Sequence, residues 1–127
     1  MVLVDTSVWI RFLAGREPHA SGLDDLLGGD DVVGHEMVFG ELLIGDVGGA
    51  RKHLIDAFSQ MHQAATIPHE EVVEFVRMRR LNGRGVGWID IHILASAVVA
   101  GIPVWTADPR FSALASELRI AYSPPPV

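Results

Sequence analysis

The sequence contains no cysteine, which excludes disulfides and thiolate metal sites and fits a cytoplasmic location. Long hydrophobic runs are missing too. The longest, Ile93–Ile102, is interrupted by Ser96 and Gly101. It is too short to span a bilayer and predicts a buried helix. The apolar start Met1–Val4 meets Asp5 at once and has no basic leader, so no signal peptide is expected. Lysine is nearly absent: Lys52 is the only one. That argues against an aspartyl-phosphate receiver, which needs a lysine near its last strand. A phosphatase on a similar sheet needs paired acids after the first strand, and Asp5-Thr6-Ser7 offers one. The six histidines show no zinc-helix spacing. Gly45–Lys52 fails the phosphate-loop pattern, and Gly83, Gly85 and Gly87 do not form a dinucleotide fingerprint. Ser7 has no base in its sequence context, which rejects serine hydrolysis.

What is present is a chain of 127 residues, 49% apolar. It reads as one domain over residues 1–127, without repeats or linkers. The net charge of −6 argues against a basic nucleic-acid coat. It leaves room for a nuclease, whose acidic metal pocket supplies negative charge.

Short apolar runs alternate with amphipathic stretches. Val2–Val4, Val32–Val33 and Pro103–Thr106 read as strands, Thr66–Ile67 as a strand end, and Ile120–Tyr122 as a final strand. Thr6 or Ser7 is positioned to cap a helix to about Leu13. Further helices are expected over Ser21–Leu27, Glu36–Ile44, Ala50–His62 after the Gly48-Gly49 break, a long stretch after Pro68, Asp90–Ala100 and Pro109–Leu118. Asn82–Gly87 reads as a loop and the Pro124-Pro125-Pro126 tail as extended chain. This alternation predicts an α/β fold with a parallel sheet, whose ligands bind beyond the carboxyl ends of the strands.

Four acids fall where that edge should be. Asp5 ends the first strand and Asp108 closely follows a later one. Glu41 interrupts an apolar helix face among Met37, Val38 and Ile44, and Asp90 opens the most apolar helix. Each has an ordinary reading when taken alone. Asp5, Asp90 and Asp108 suit helix N-caps, the last being followed by Pro109. Glu41 can bend its carboxylate outward. Taken together, they are carboxylates that repel one another in one cleft. A hard divalent cation relieves that repulsion, which points to metal-dependent phosphodiester chemistry. Thr6, Ser7 and Thr106 are placed to orient these carboxylates.

The segments Leu3–Trp9, Val38–Leu42, Trp88–Ala97 and Trp105–Phe111 resemble the PIN-domain family, and within it the VapC-type toxins of bacterial and archaeal toxin–antitoxin pairs. The resemblance covers nearly the whole chain. It implies a three-layer α/β/α sandwich around a parallel sheet, and Mg²⁺- or Mn²⁺-dependent endoribonuclease activity. Asp5 and Asp90 match the family's main metal ligands, Glu41 and Asp108 its other two acids, and Thr106 its supporting hydroxyl. The resemblance also implies a cognate VapB-type antitoxin and a homodimer. The antitoxin would lay an apolar segment near Trp9–Leu13 and Leu42–Leu54. Arg110, Arg84 and Arg11 are the candidate RNA-phosphate contacts, with Arg77, Arg79 and Arg80 as helix-end charges. Trp9 and Trp88 are candidates for base stacking, whereas Trp105 belongs to a buried strand. The alternative is a catalytically silent PIN-like binding module.

Overall fold

The computed structural model describes residues 1–46 and 51–126. Leu3 pairs with Val33 on one side and with Val104 on the other, all in parallel. The first strand, β1 (Val2–Val4), is therefore central. It is flanked by β2 (Val32–Gly34) and β4 (Val104–Trp105), with β3 (His62–Gln63) beyond β2. The order β3-β2-β1-β4 reverses direction at β1. Chains leaving β1 and β4 therefore diverge and open a crevice between their carboxyl ends. β1 is fully buried, as a short Val-Leu-Val strand must be when both faces are covered.

The helices are α1 (Thr6–Leu13), α2 (His19–Gly28), α3 (Glu36–Ile44), α4 (Arg51–Gln60), α5 (His69–Arg79), α6 (Trp88–Ala100) and α7 (Pro109–Glu117). With the sheet they make the expected three-layer α/β/α sandwich. In α6 every side chain from Ile91 to Ala97 is buried, which explains its apolarity all round. It stops at Gly101, whose φ of 68° suits glycine. α5 carries Glu70 and Glu71 in its first turn and Arg77 and Arg79 in its last, matching its dipole.

Several boundaries differ from expectation. The chain expected to be helical up to His62 instead ends its helix at Gln60, and His62–Gln63 pairs with β2. Both residues of that strand are exposed, so no hydrophobic signal marks it. Thr66–Ile67 forms no strand. Ile120–Tyr122 contributes only one isolated bridge, Ala121 to Val104. α2 begins two residues early, because Pro18 and Arg16 already offer carbonyls to Gly22 and Ala20. The Gly48-Gly49 break and the helix start at Ala50 lie outside the described residues.

Candidate active site

Three of the four strands hand the chain to a helix through the same device. A residue at or shortly after the strand's end turns its side chain to accept a hydrogen bond from the backbone N–H two residues on. Asp5 accepts from Ser7 (2.9 Å) after β1, and His35 accepts from Met37 (3.1 Å) after β2. Beyond β4, Asp108 accepts from Arg110 (2.8 Å) and more weakly from Phe111 (3.4 Å). The capping readings of Asp5 and Asp108 are therefore correct as local structure. Thr6 and Ser7 lie inside α1 and do not cap it.

Asp5 and the chain after β4 stand side by side. The Asp5 N–H donates to the Trp105 carbonyl at 3.0 Å. The Ser7 hydroxyl then links the two strand ends. It lies 3.0 Å from Asp5 Oδ2, accepts the Ala107 N–H at 2.9 Å, and sits 3.3 Å from the Thr106 hydroxyl. Thr106 Oγ1 accepts from the Asp108 N–H at 3.1 Å. Thr6 plays a different part from Ser7: its hydroxyl donates to Glu41 Oε1 at 2.6 Å, tying α1 to α3. Ser7 thus holds Asp5, and Thr6 holds Glu41. Sequence alone did not divide the two hydroxyls between these acids.

Glu41 occupies a helix face that is apolar in sequence but only partly buried. Val38 is inaccessible, while Ile44 is 90% exposed. Asp90 is not the N-cap of α6. Gly87 takes that place, and Asp90 sits in the first turn. This moves the carboxylate off the helix end and into the cluster.

The electrostatics show that the four acids share one field. Burial raises the Asp5 pKa above the ordinary aspartate value, and the Glu41 charge adds to this. Hydrogen bonds from Thr106 and Ser7 oppose the shift. Asp90 is pushed up to about 7, first by burial and then by the charges of Asp5, Glu41 and Asp108. Among the described residues none of the four carboxylates has a salt-bridge partner. Clustered hard oxygen donors with uncompensated charge suit Mg²⁺ or Mn²⁺. No three of these groups, among the described residues, stand close enough to form a ready cage. Mg²⁺ does not need such a cage, since it takes one or two carboxylates and keeps several waters.

A model of the PIN domain matches residues 2–117. The chain belongs to the PIN-domain family. Within that family it is 38% identical over 122 residues to Ribonuclease VapC32 of Mycobacterium tuberculosis, in two strains, covering 95% of each chain. It therefore falls in the VapC group. The crystal structure of PAE2754 from Pyrobaculum aerophilum has the same fold, with a TM-score of 0.64 at 19% identity, covering 95% of this chain and 87% of that one.

The remaining PIN-domain expectations divide clearly. Trp9 is 2% exposed and packs against Phe12 and Phe58, so it is core and unavailable to a base. Trp105 is core as expected, beside His19 and Tyr122. Trp88 is 44% exposed and meets His69 and His92 edge-on. Arg84 is held by both oxygens of Glu117, at 2.8 and 2.9 Å. Sequence reading passed over His35 and Ser96. The buried His35 Nε2–H donates to Ser96 Oγ (2.9 Å), which donates to the Ala65 carbonyl (2.9 Å). This chain pins α6, which carries Asp90, to the start of α3, which carries Glu41. Its only sequence trace is a polar pair inside apolar segments. No helix among the described residues is long and apolar enough to cross a membrane.

Proposed function

We propose that this protein is the toxin of a type II toxin–antitoxin pair, a Mg²⁺- or Mn²⁺-dependent endoribonuclease that cleaves tRNA or rRNA and so inhibits translation and growth. The observation that carries the reading is Asp90, raised to about 7 first by burial and then by the charges of Asp5, Glu41 and Asp108. The name of its mycobacterial relatives, a ribonuclease of the VapC group, supports it.

Asp5 and Asp90 would hold the cation, with Glu41 and Asp108 beside it as further oxygen donors. A divalent ion there supplies an activated water and shields charge on the phosphate. Ser7 and Thr106 keep Asp5 charged and aimed. Thr6 orients Glu41, which takes the proton of the attacking water. The water oxygen joins phosphorus while the bond to the 3′-oxygen breaks, and that oxygen gains a proton. The products carry 5′-phosphate and 3′-hydroxyl ends. Arg11 and Arg110 face the strand's phosphates.

A cognate VapB-type antitoxin restrains the enzyme. The exposed Ile10, Ile44 and Ile55 offer it an apolar landing beside α1, α3 and α4. A net charge of −6 favours its basic tail, and one basic side chain entering the acid cluster would block the site. A homodimer follows from the same family likeness.

The test is cleavage of total tRNA and rRNA fragments by antitoxin-free protein in Mg²⁺, Mn²⁺ or EDTA, beside Asp90→Asn. Discrete fragments that need metal and vanish in the variant are expected. RNA binding without cleavage under any ion would favour the silent binding module.

A further inference from the structure

Beside the acid cluster lies a cavity of about 500 Å³ lined by Ser7, Arg11, Gly85, Asp108, Pro109 and Arg110, a size that admits a small ligand. Its cations come from separate elements, Arg11 from the last turn of α1 and Arg110 from the first turn of α7. Arg11 Nη1 donates to the Ser7 carbonyl at 3.0 Å, which fixes the guanidinium head while its other N–H donors remain available. Neither guanidinium has a salt bridge among the described residues. Arg110 stands at the positive end of its helix dipole, so local electrostatics disfavour it there.

The third wall explains how Arg110 is held. Gly85 has a φ of +75°, and a Cβ on it would stand 2.8 Å from Arg110 Nη1 and 3.0 Å from Cδ. The positive φ suits glycine, and the loop lies directly against the Arg110 side chain. The two-pronged Arg84–Glu117 pair fastens the same loop to α7.

We propose that this cavity seats one backbone phosphate of the RNA strand, next to the scissile one and gripped jointly by Arg11 and Arg110, with Gly85 and the Arg84–Glu117 pair positioning Arg110. The seat rests on the ribonuclease reading, since its ligand is the strand being cut. Two planar guanidinium forks lining one cavity, beside carboxylates that repel anions unless a cation is bound, match a phosphate whose neighbour would lie at the cation.

The test uses the Asp90→Asn protein, which does not cut and whose cluster carries one negative charge fewer, and a short fluorescein-labelled single-stranded RNA of mixed sequence. Anisotropy is read across a NaCl series, and melting curves check that each variant is folded. Arg11→Ala and Arg110→Ala should each weaken binding about tenfold. Together they should lower the slope of log K against log salt by about 0.7, the value for one single-strand phosphate. Arg77→Ala should leave the slope unchanged. Arg84→Glu should weaken binding, and adding Glu117→Arg should restore it, as a positioning pair requires and a direct phosphate contact does not.

An unchanged slope, a fall of about 1.4 indicating two separate phosphates, or a swap that fails to rescue would overturn the proposal. Cleavage of tRNA by the wild-type protein, run in parallel, separates the two ideas. Cleavage with an unchanged slope removes the phosphate seat alone. The expected slope change without cleavage supports the seat and rejects the nuclease. Neither binding nor cleavage rejects both.

Discussion

Asp5 and His35 occupy equivalent places. Each follows a buried strand, caps the next helix through the N–H two residues on, and is almost inaccessible to water, at 3% and 0% exposure. Their surroundings are opposite. Around His35 every proton has an acceptor: the ring donates to Ser96, and Ser96 to Ala65. Burial, helped by the His92 charge and opposed by Glu36, holds its pKa below the ordinary histidine value, so it is neutral. Around Asp5 the nearby groups include three more carboxylates and no paired cation among the described residues. A closed buried network stabilises the fold and fixes geometry. An open one, with excess charge of one sign, costs stability and is kept for what it binds. The two junctions use the same backbone solution, within a closed network in one case and within an open, charged one in the other.

The comparison breaks most sharply by removing charge from the open cluster. Asp5→Asn or Asp90→Asn should reduce RNA cleavage by on the order of 10³-fold or more, the loss of several kcal/mol of charge stabilisation. Circular dichroism of both variants should stay native. Breaking the closed network does the reverse. His35→Ala should cost about 2–4 kcal/mol in urea unfolding, from a lost cap, a lost hydrogen bond and a cavity. His35→Asn should recover about 1 kcal/mol of this by restoring the cap alone.

Ser7→Ala sits between the two. It takes a hydrogen bond from Asp5 and strands the Ala107 N–H, and should weaken Mn²⁺ binding by about 10–100-fold in a calorimetric titration.

The effect on pH dependence has opposite signs in the two regions. Asp90 is raised from 3.8 to about 7, so without metal the folded state binds more protons across that window. Stability from this group is highest below pH 3.8 and falls as pH rises towards 7. His35 is lowered, so its contribution is present above the ordinary value of 6.5 and is lost as pH drops below it. Melting temperatures across pH 4–8 in EDTA should therefore lose the acid-side gain in Asp90→Asn and keep the loss due to His35.

Much of this was legible in the chain. Asp5 and Asp108 were placed correctly because short all-apolar strands announce their own ends. Glu41 stood out because a carboxylate interrupting an apolar helix needs a reason. The family likeness brought Asp90 into the same group. What stayed hidden depends on contacts distant in sequence. Nothing local tells that Thr6 reaches Glu41 while Ser7 reaches Asp5, because adjacent helix residues point about 100° apart only once the helix is set. His35 and Ser96 are 61 residues apart. β3 has two exposed residues and is defined by its neighbour alone. Asp90 looked like a cap because Gly87, the true one, carries no side chain.

The most direct test of the central claim is the melting temperature at pH 7.5 with and without Mg²⁺, for the wild type and Asp90→Asn. If the four acids are held in repulsion for a cation, Mg²⁺ raises the wild-type midpoint. In EDTA, Asp90→Asn melts about 4 °C above the wild type, equivalent to about 1 kcal/mol of relieved repulsion, and responds little to Mg²⁺. A wild type indifferent to Mg²⁺, or an Asp90→Asn protein that melts lower in EDTA, would contradict it.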